Sequence, residues 1–268
     1  MSRAKKITIA LVAAGALAVG AFLVYFYVIR EDAPPALSTS DLDEALGGST
    51  DTTDSVSVTV PVDTTPATVE TTNAGTGTTA TTVAPTATDV TAATGDPSGT
   101  WNISPDSVLG YRVSEVLFGL DAEGAGRTND VAGTLVIDGA TATSAEFTVQ
   151  MASITSDDDR RDGQFNGRIM STDQFPTSTF VLTSPIDFGT VPAEGETITA
   201  SATGDLTLRG VTNSVTFEVQ AKLEGGRVGI LGNIPIAFSD YDIPDPSNAA
   251  ATVKDNGLLE FVLVFDKA

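Results

Sequence analysis

Side chains able to do acid, base or metal chemistry in this chain are nearly all of one kind. It has no histidine and no cysteine. That removes imidazole ligands and bases, thiolate nucleophiles, and the Ser-His-Asp and Cys-His arrangements together. Carboxylates remain. Asp157-Asp158-Asp159 offers the hard oxygen ligands that calcium takes, without the spacing of an EF-hand loop. Capping of a helix that follows explains the run more simply. Asp240, Asp242 and Asp245 lie among Pro and Ser and read as turn formers. Arg161-Asp162 reads as a structural ion pair or cap, with contact to a ligand head group as the lesser alternative. No pair of carboxylates stands out as the acid and base of a hydrolase. No catalytic residue, metal ligand or cofactor is therefore assigned.

The richer pattern is apolar. Phe147, Val149 and Met151 alternate with polar neighbours, as do Phe180 and Leu182, Leu206 and Leu208, Phe217 and Val219, and Phe261 and Leu263. A period of two puts each set on one face of an extended strand. These residues are the candidate inner surface. They either line a cavity that takes an apolar ligand or pack against one another and leave none.

The elements that must position them are strands. Thr203–Ala221 reads as an antiparallel hairpin whose turn falls between Arg209 and Ser214, where Gly210 and Asn213 tolerate turn angles. Other strands are expected at 99–103 and near 107–118, 131–137, 145–151, 178–183, 197–209, 214–222, 226–238 and 258–266. In the last of these Glu260 and Asp266 face away from Leu259, Phe261, Leu263 and Phe265, while Val262 and Val264 interrupt that polar face. Part of the outer face must then be covered. Many short strands between Gly, Asn, Asp and Pro turns indicate a sandwich or barrel. Ser156–Met170 departs from the pattern; its acidic start and the i, i+4 pair Phe165 and Ile169 predict a helix over one end of the sheet.

Three regions follow in order. Residues 1–30 contain an uncharged run, Ile7 to Ile29, long enough for a helix to cross a bilayer core. Arg3, Lys5 and Lys6 precede it, and no small-x-small cleavage site ends it. It reads as an uncleaved anchor with a cytoplasmic N-terminus. Residues 31–98 have no Lys, Arg or aromatic residue and are rich in Thr, Ser, Ala and Pro, which predicts a disordered acidic linker. Asp41–Leu46 counts within it as at most a helical turn without consequence. Residues 99–268 form the β domain, with 10 basic and 24 acidic side chains and so a net charge of −14. Nucleic acid is excluded as a partner because no basic stripe offsets its phosphates.

Ser153-Ile-Thr155, Arg161-Asp162, Phe175-Pro-Thr-Ser-Thr-Phe180 and Thr203-Gly-Asp-Leu-Thr-Leu-Arg-Gly-Val-Thr212, in that order, resemble the YceI-like family of bacterial lipid-binding proteins. Gly99-Thr-Trp-Asn-Ile103 and Leu259-Glu-Phe-Val-Leu263 are similar to its two ends. The resemblance implies an all-β, lipocalin-like antiparallel β-barrel with a short helix, whose apolar interior holds a polyisoprenoid or similar amphiphile. Ser114 or Glu115 stands near a histidine that many members carry, and Gln164-Phe165 replaces a second site of this kind, so histidine-dependent family roles do not carry over. The expected protein is membrane-anchored, extracytoplasmic and lipid-binding, not an enzyme. A structural or protein-interaction module with a filled barrel is the alternative.

Overall fold

The computed structural model describes Leu17 and residues 33–47, 96–249 and 251–268. The anchor expected at Ile7 to Ile29 lies outside the described residues apart from Leu17, as does most of the linker. Among the described residues no helix is long and apolar enough to cross a membrane.

Eight antiparallel strands close a ring in the order β1 (Gly99–Ile103), β4 (Val131–Asp138), β5 (Thr141–Gln150), β7 (Thr177–Ser184), β9 (Thr197–Leu208), β10 (Val211–Glu224), β11 (Arg227–Ala237) and β13 (Asn256–Lys267), with β13 pairing back onto β1. The other half of β13 pairs with β2 (Val108–Leu117). Ser104–Ser107 breaks what would be one long strand, so β1 closes the lower end while β2 and β3 (Leu120–Thr128) splay the wall at the upper end. The two-residue strands β6 (Thr155–Ser156) and β8 (Ile186–Asp187) and the short β12 (Ala251–Val253) trim the two ends. β3 was not expected. Its Gly124-Ala-Gly126 core has no large side chain to alternate, and the strand exists because its backbone pairs along all of β2.

The hairpin at 203–221 is tighter than its composition predicts. Leu208 pairs with Val211, leaving only Arg209 and Gly210, both at positive φ, as the turn. Arg209 holds this unfavourable conformation while its guanidinium donates to the Asp242 carbonyl and lies 5.6 Å from the Phe175 ring centre. Asn213 lies within the strand.

The outer face of β13 corrects the linker expectation at residues 33–47. Thr39–Ala45 is a helix with a capping box between Ser38 and Asp41, and Leu42 and Leu46 beneath it are buried against Val262, Val264 and Leu231. These are the two valines that broke the polar face. A polar, Pro-rich composition still yields order here because two leucines one turn apart find an apolar seat.

Candidate functional site

The eleven inward candidates divide between two chambers. The upper holds about 1100 Å³, and Phe147, Val149, Met151, Leu206, Leu208 and Phe261 are on its wall. The lower is a residual space of about 100 Å³ among Phe180, Leu182, Phe217, Val219 and Leu263, again touching Phe147 and Phe261. Four phenylalanines make the partition. Phe147 stacks on Phe180 at 5.2 Å and meets Phe261 at 6.2 Å; Phe217 meets Phe180 edge-on at 5.5 Å and Phe261 at 6.0 Å. Such offset and edge-on pairs are the favoured aromatic geometries. The rings fit because two facing positions lack a side chain. A Cβ at Gly204 would lie 2.4 Å from the Phe180 ring, and one at Gly232 would lie 2.5 Å from the Phe261 ring. The barrel is thus packed below the partition and hollow above it.

Below, Trp101 is buried, donates from Nε1 to the Pro97 carbonyl at 2.8 Å, and carries the Lys267 ammonium 5.4 Å from its ring centre. Above, the exposed wall residues Phe118, Asp157, Asp159, Arg160 and Asn248 mark the mouth. The predicted helix is split there. Asp159–Gln164 is α-helical, with the Asp158 carboxylate accepting from the Arg160 amide at 2.8 Å, and Phe165–Ile169 follows as one π turn. Gly163 and Gly167 weaken the ordinary helix, and the wider turn drops Phe165 onto Tyr111, stacked at 5.0 Å. Burial pushes the Tyr111 phenol well above its ordinary value, against the lowering influence of nearby Arg161.

The expected pair Arg161–Asp162 does not form. The Arg161 guanidinium binds Asp157 and, at 3.4 Å, Glu115, whereas Asp162 accepts from the Ser156 amide at 2.9 Å and its hydroxyl at 2.6 Å. The helix turns the two side chains about 100° apart, so each finds its own partner. Glu115 is therefore part of an ion-pair cluster at the rim. The rim as a whole has Glu115 and Asp157–Asp159 against Arg160 and Arg161. Among the described residues no group of three or more His, Cys, Asp or Glu side chains forms a metal cage. Asp240 and Asp242 use their carbonyls to hold the loops, to Asn213 and Arg209, and Asp245 accepts from the Ser247 amide.

Most of the upper wall lies outside the candidates read from sequence. Tyr111, Val113, Ile234, Ile236, Phe238 and Ile243 all face the chamber. Ile234, Ile236 and Phe238 do alternate, within the strand expected at 226–238. Tyr111 and Val113 alternate with Arg112 and Ser114 in the strand expected near 107–118.

A YceI-like domain model matches residues 101–265. No curated protein matches the chain. Among solved structures, BcnA of Burkholderia cenocepacia is 26% identical, covering 60% of this chain and 98% of that one, with a TM-score of 0.49. A polyisoprenoid-binding domain from Saccharophagus degradans, implicated in plant cell wall breakdown, is 16% identical, covering 63% and 98%, with a TM-score of 0.51. A YceI protein of Campylobacter jejuni is 16% identical over 52% of this chain and 81% of that one, with a TM-score of 0.39. With its barrel matched from Trp101 to Phe265, well over half its length, the chain belongs to the YceI-like family.

Proposed function

We propose that this protein is a membrane-anchored, extracytoplasmic lipid-binding protein whose upper chamber holds the chain of a polyisoprenoid or similar amphiphile. The chamber carries the reading. Its volume is at the top of the roughly 300–1000 Å³ range of small-molecule pockets, its wall is mostly aliphatic and aromatic, and its floor is closed by the four phenylalanines. Each buried methylene stabilises a complex by about 0.8 kcal/mol, so affinity comes from the tail. The polyisoprenoid bound by the Saccharophagus degradans domain supports the same ligand class by analogy of fold. At the rim, Arg161 is neutralised by Asp157 and Glu115, leaving an acidic mouth that disfavours an anionic head group. The uncharged run Ile7 to Ile29, with Arg3, Lys5 and Lys6 before it, supports the anchor and its orientation.

The test is organic extraction of the purified full-length protein followed by mass spectrometry. A near-stoichiometric lipid with a long apolar tail is expected. A protein that comes out empty, and then fails to take up a polyprenol offered in detergent, would leave the filled-module alternative standing.

A further inference from the structure

We infer that the barrel docks mouth-down on a lipid surface, held there by residues 33–47 and touching it through the β2–β3 hairpin tip. This rests on the anchor reading for Ile7 to Ile29 but goes beyond it, because an anchor followed by a long loose linker would set neither distance nor orientation. The linker no longer intervenes. The chain meets the barrel at Pro34, long before residue 48.

The docked segment has a direction. The Pro34 and Pro35 carbonyls accept from Arg112 and Arg127, and the Leu37 amide donates to Glu260 at 3.3 Å. Leu42 and Leu46 then sit over Gly229, where a Cβ would lie 2.6 Å from Leu42. At the end the Ala45 carbonyl accepts from Arg227, which is paired with Asp266, and Lys222 holds Asp43 at 2.8 Å. From Glu260 to Asp266 the segment therefore descends about 20 Å along β13, at roughly 3.3 Å per residue, away from the mouth. Its first residue is its mouth-proximal end. Arg30 lies four residues earlier and reaches at most about 14 Å farther, whatever the conformation between. Arg112, beside Pro34, lies six residues from Phe118, about 20 Å along a strand and nearer 15 Å along the axis of a barrel with strands tilted by about 40°. The two reaches match. If the chain leaves a bilayer near Arg30, the rim stands at that bilayer's surface.

The rim is built for the contact. Phe118 is 59% exposed at the hairpin tip and Val116 is 40% exposed beside it. Phe118 also holds φ at +51°, a conformation unfavourable for a bulky residue. Charge does not supply the orientation, since the acidic rim is repelled by anionic head groups. The mechanical link has to supply it.

The chain contains no cysteine, so single fluorophores can be placed by Asp121→Cys near the rim and Thr190→Cys at the far end. The full-length protein is reconstituted in phosphatidylcholine vesicles carrying a head-group quencher. Rim fluorescence should be quenched several-fold more than far-end fluorescence. Leu42→Asp with Leu46→Asp, both outside the barrel, should bring the two labels to parity, and Gly229→Leu, which fills the leucine seat from the barrel side, should do the same. Hydrogen exchange at the Asp41, Leu42, Leu46 and Gly47 amides reports the docking itself, and Phe118→Glu should weaken rim quenching while leaving those amides protected. Equal quenching in the parent, or a rim preference that survives undocking, overturns the inference while the anchor stands. Failure of the parent to float with vesicles overturns both, and leaves the lipid-extraction result to judge the chamber.

Discussion

Phe261→Ala is the sharpest probe of the partition, because it should weaken the empty protein and lengthen its cargo. Phe261 is 5% exposed, touches both chambers, and holds Phe147 and Phe217 at 6.2 and 6.0 Å. Truncating a buried phenylalanine costs about 3–5 kcal/mol, from lost transfer energy and the cavity left behind. The vacated ring also joins the lower space of about 100 Å³ to the upper chamber. A tail longer by one five-carbon isoprene unit then regains about 4 kcal/mol, at roughly 0.8 kcal/mol per carbon. The empty variant should therefore unfold at clearly lower denaturant, and the loaded variant close to the loaded parent. Denaturation of stripped and loaded protein, paired with mass spectrometry of the extracted lipid, reads both effects. A deficit of the same size with and without lipid, and cargo of unchanged length, would refute the idea that these rings set the depth of the site.

Three further outcomes are expected. Val149→Trp places an indole in the upper chamber, so lipid recovery should collapse while stability changes by no more than about 1–3 kcal/mol; normal loading would exclude the chamber as the site. Glu260→Gln removes the charge that Arg112 and Arg127 share at 3.3 and 2.8 Å, on a side chain only 3% exposed; Arg112 keeps Glu123 at 2.9 Å, so the loss should be about 1–3 kcal/mol. Chemical denaturation reads that loss, and a change below about 1 kcal/mol would mean that solvent screens the cluster after all. Tyr111 has a phenol raised by burial, so the folded state holds its proton more tightly than the unfolded chain does. Its stabilising contribution is complete below the ordinary tyrosine value near 10 and is lost as pH rises beyond it. Thermal melts should be insensitive to this group up to about pH 9 and fall at higher pH, with Tyr111→Phe removing part of the fall.

How much could be read without coordinates depended on whether a residue's neighbours were close in sequence. The alternation of Leu206 with Leu208, and of Phe217 with Val219, gave strands 197–208 and 211–224 to within a few residues, but the register between them was not legible, because the turn is Arg209-Gly210 alone and not the longer stretch to Ser214 that composition suggested. β3 was invisible because glycine and alanine carry no pattern, although it pairs with β2 from Leu109 to Leu117. The division of the inner residues into a chamber wall and a floor could not be seen either. Phe147 and Phe180 look alike in sequence, and only the facing glycines at 232 and 204 show where rings close the bore. Val262 and Val264 did announce a cover on the outer face, but Leu42 lies more than 200 residues away and carries no mark of its destination.

The hollow half also bears on what state the protein occupies. The upper chamber of about 1100 Å³ opens at its mouth to water, which wets the acidic rim well and the isoleucine, leucine and phenylalanine wall poorly. Displacing poorly held water is itself favourable, so a prenyl chain enters against little resistance. The packed lower half, with Trp101 and the four phenylalanines, supplies the stability that the upper half forgoes. A stripped protein should melt well below a loaded one by the linkage of ligand to fold, and identical melting of the two would place the cargo somewhere other than this chamber.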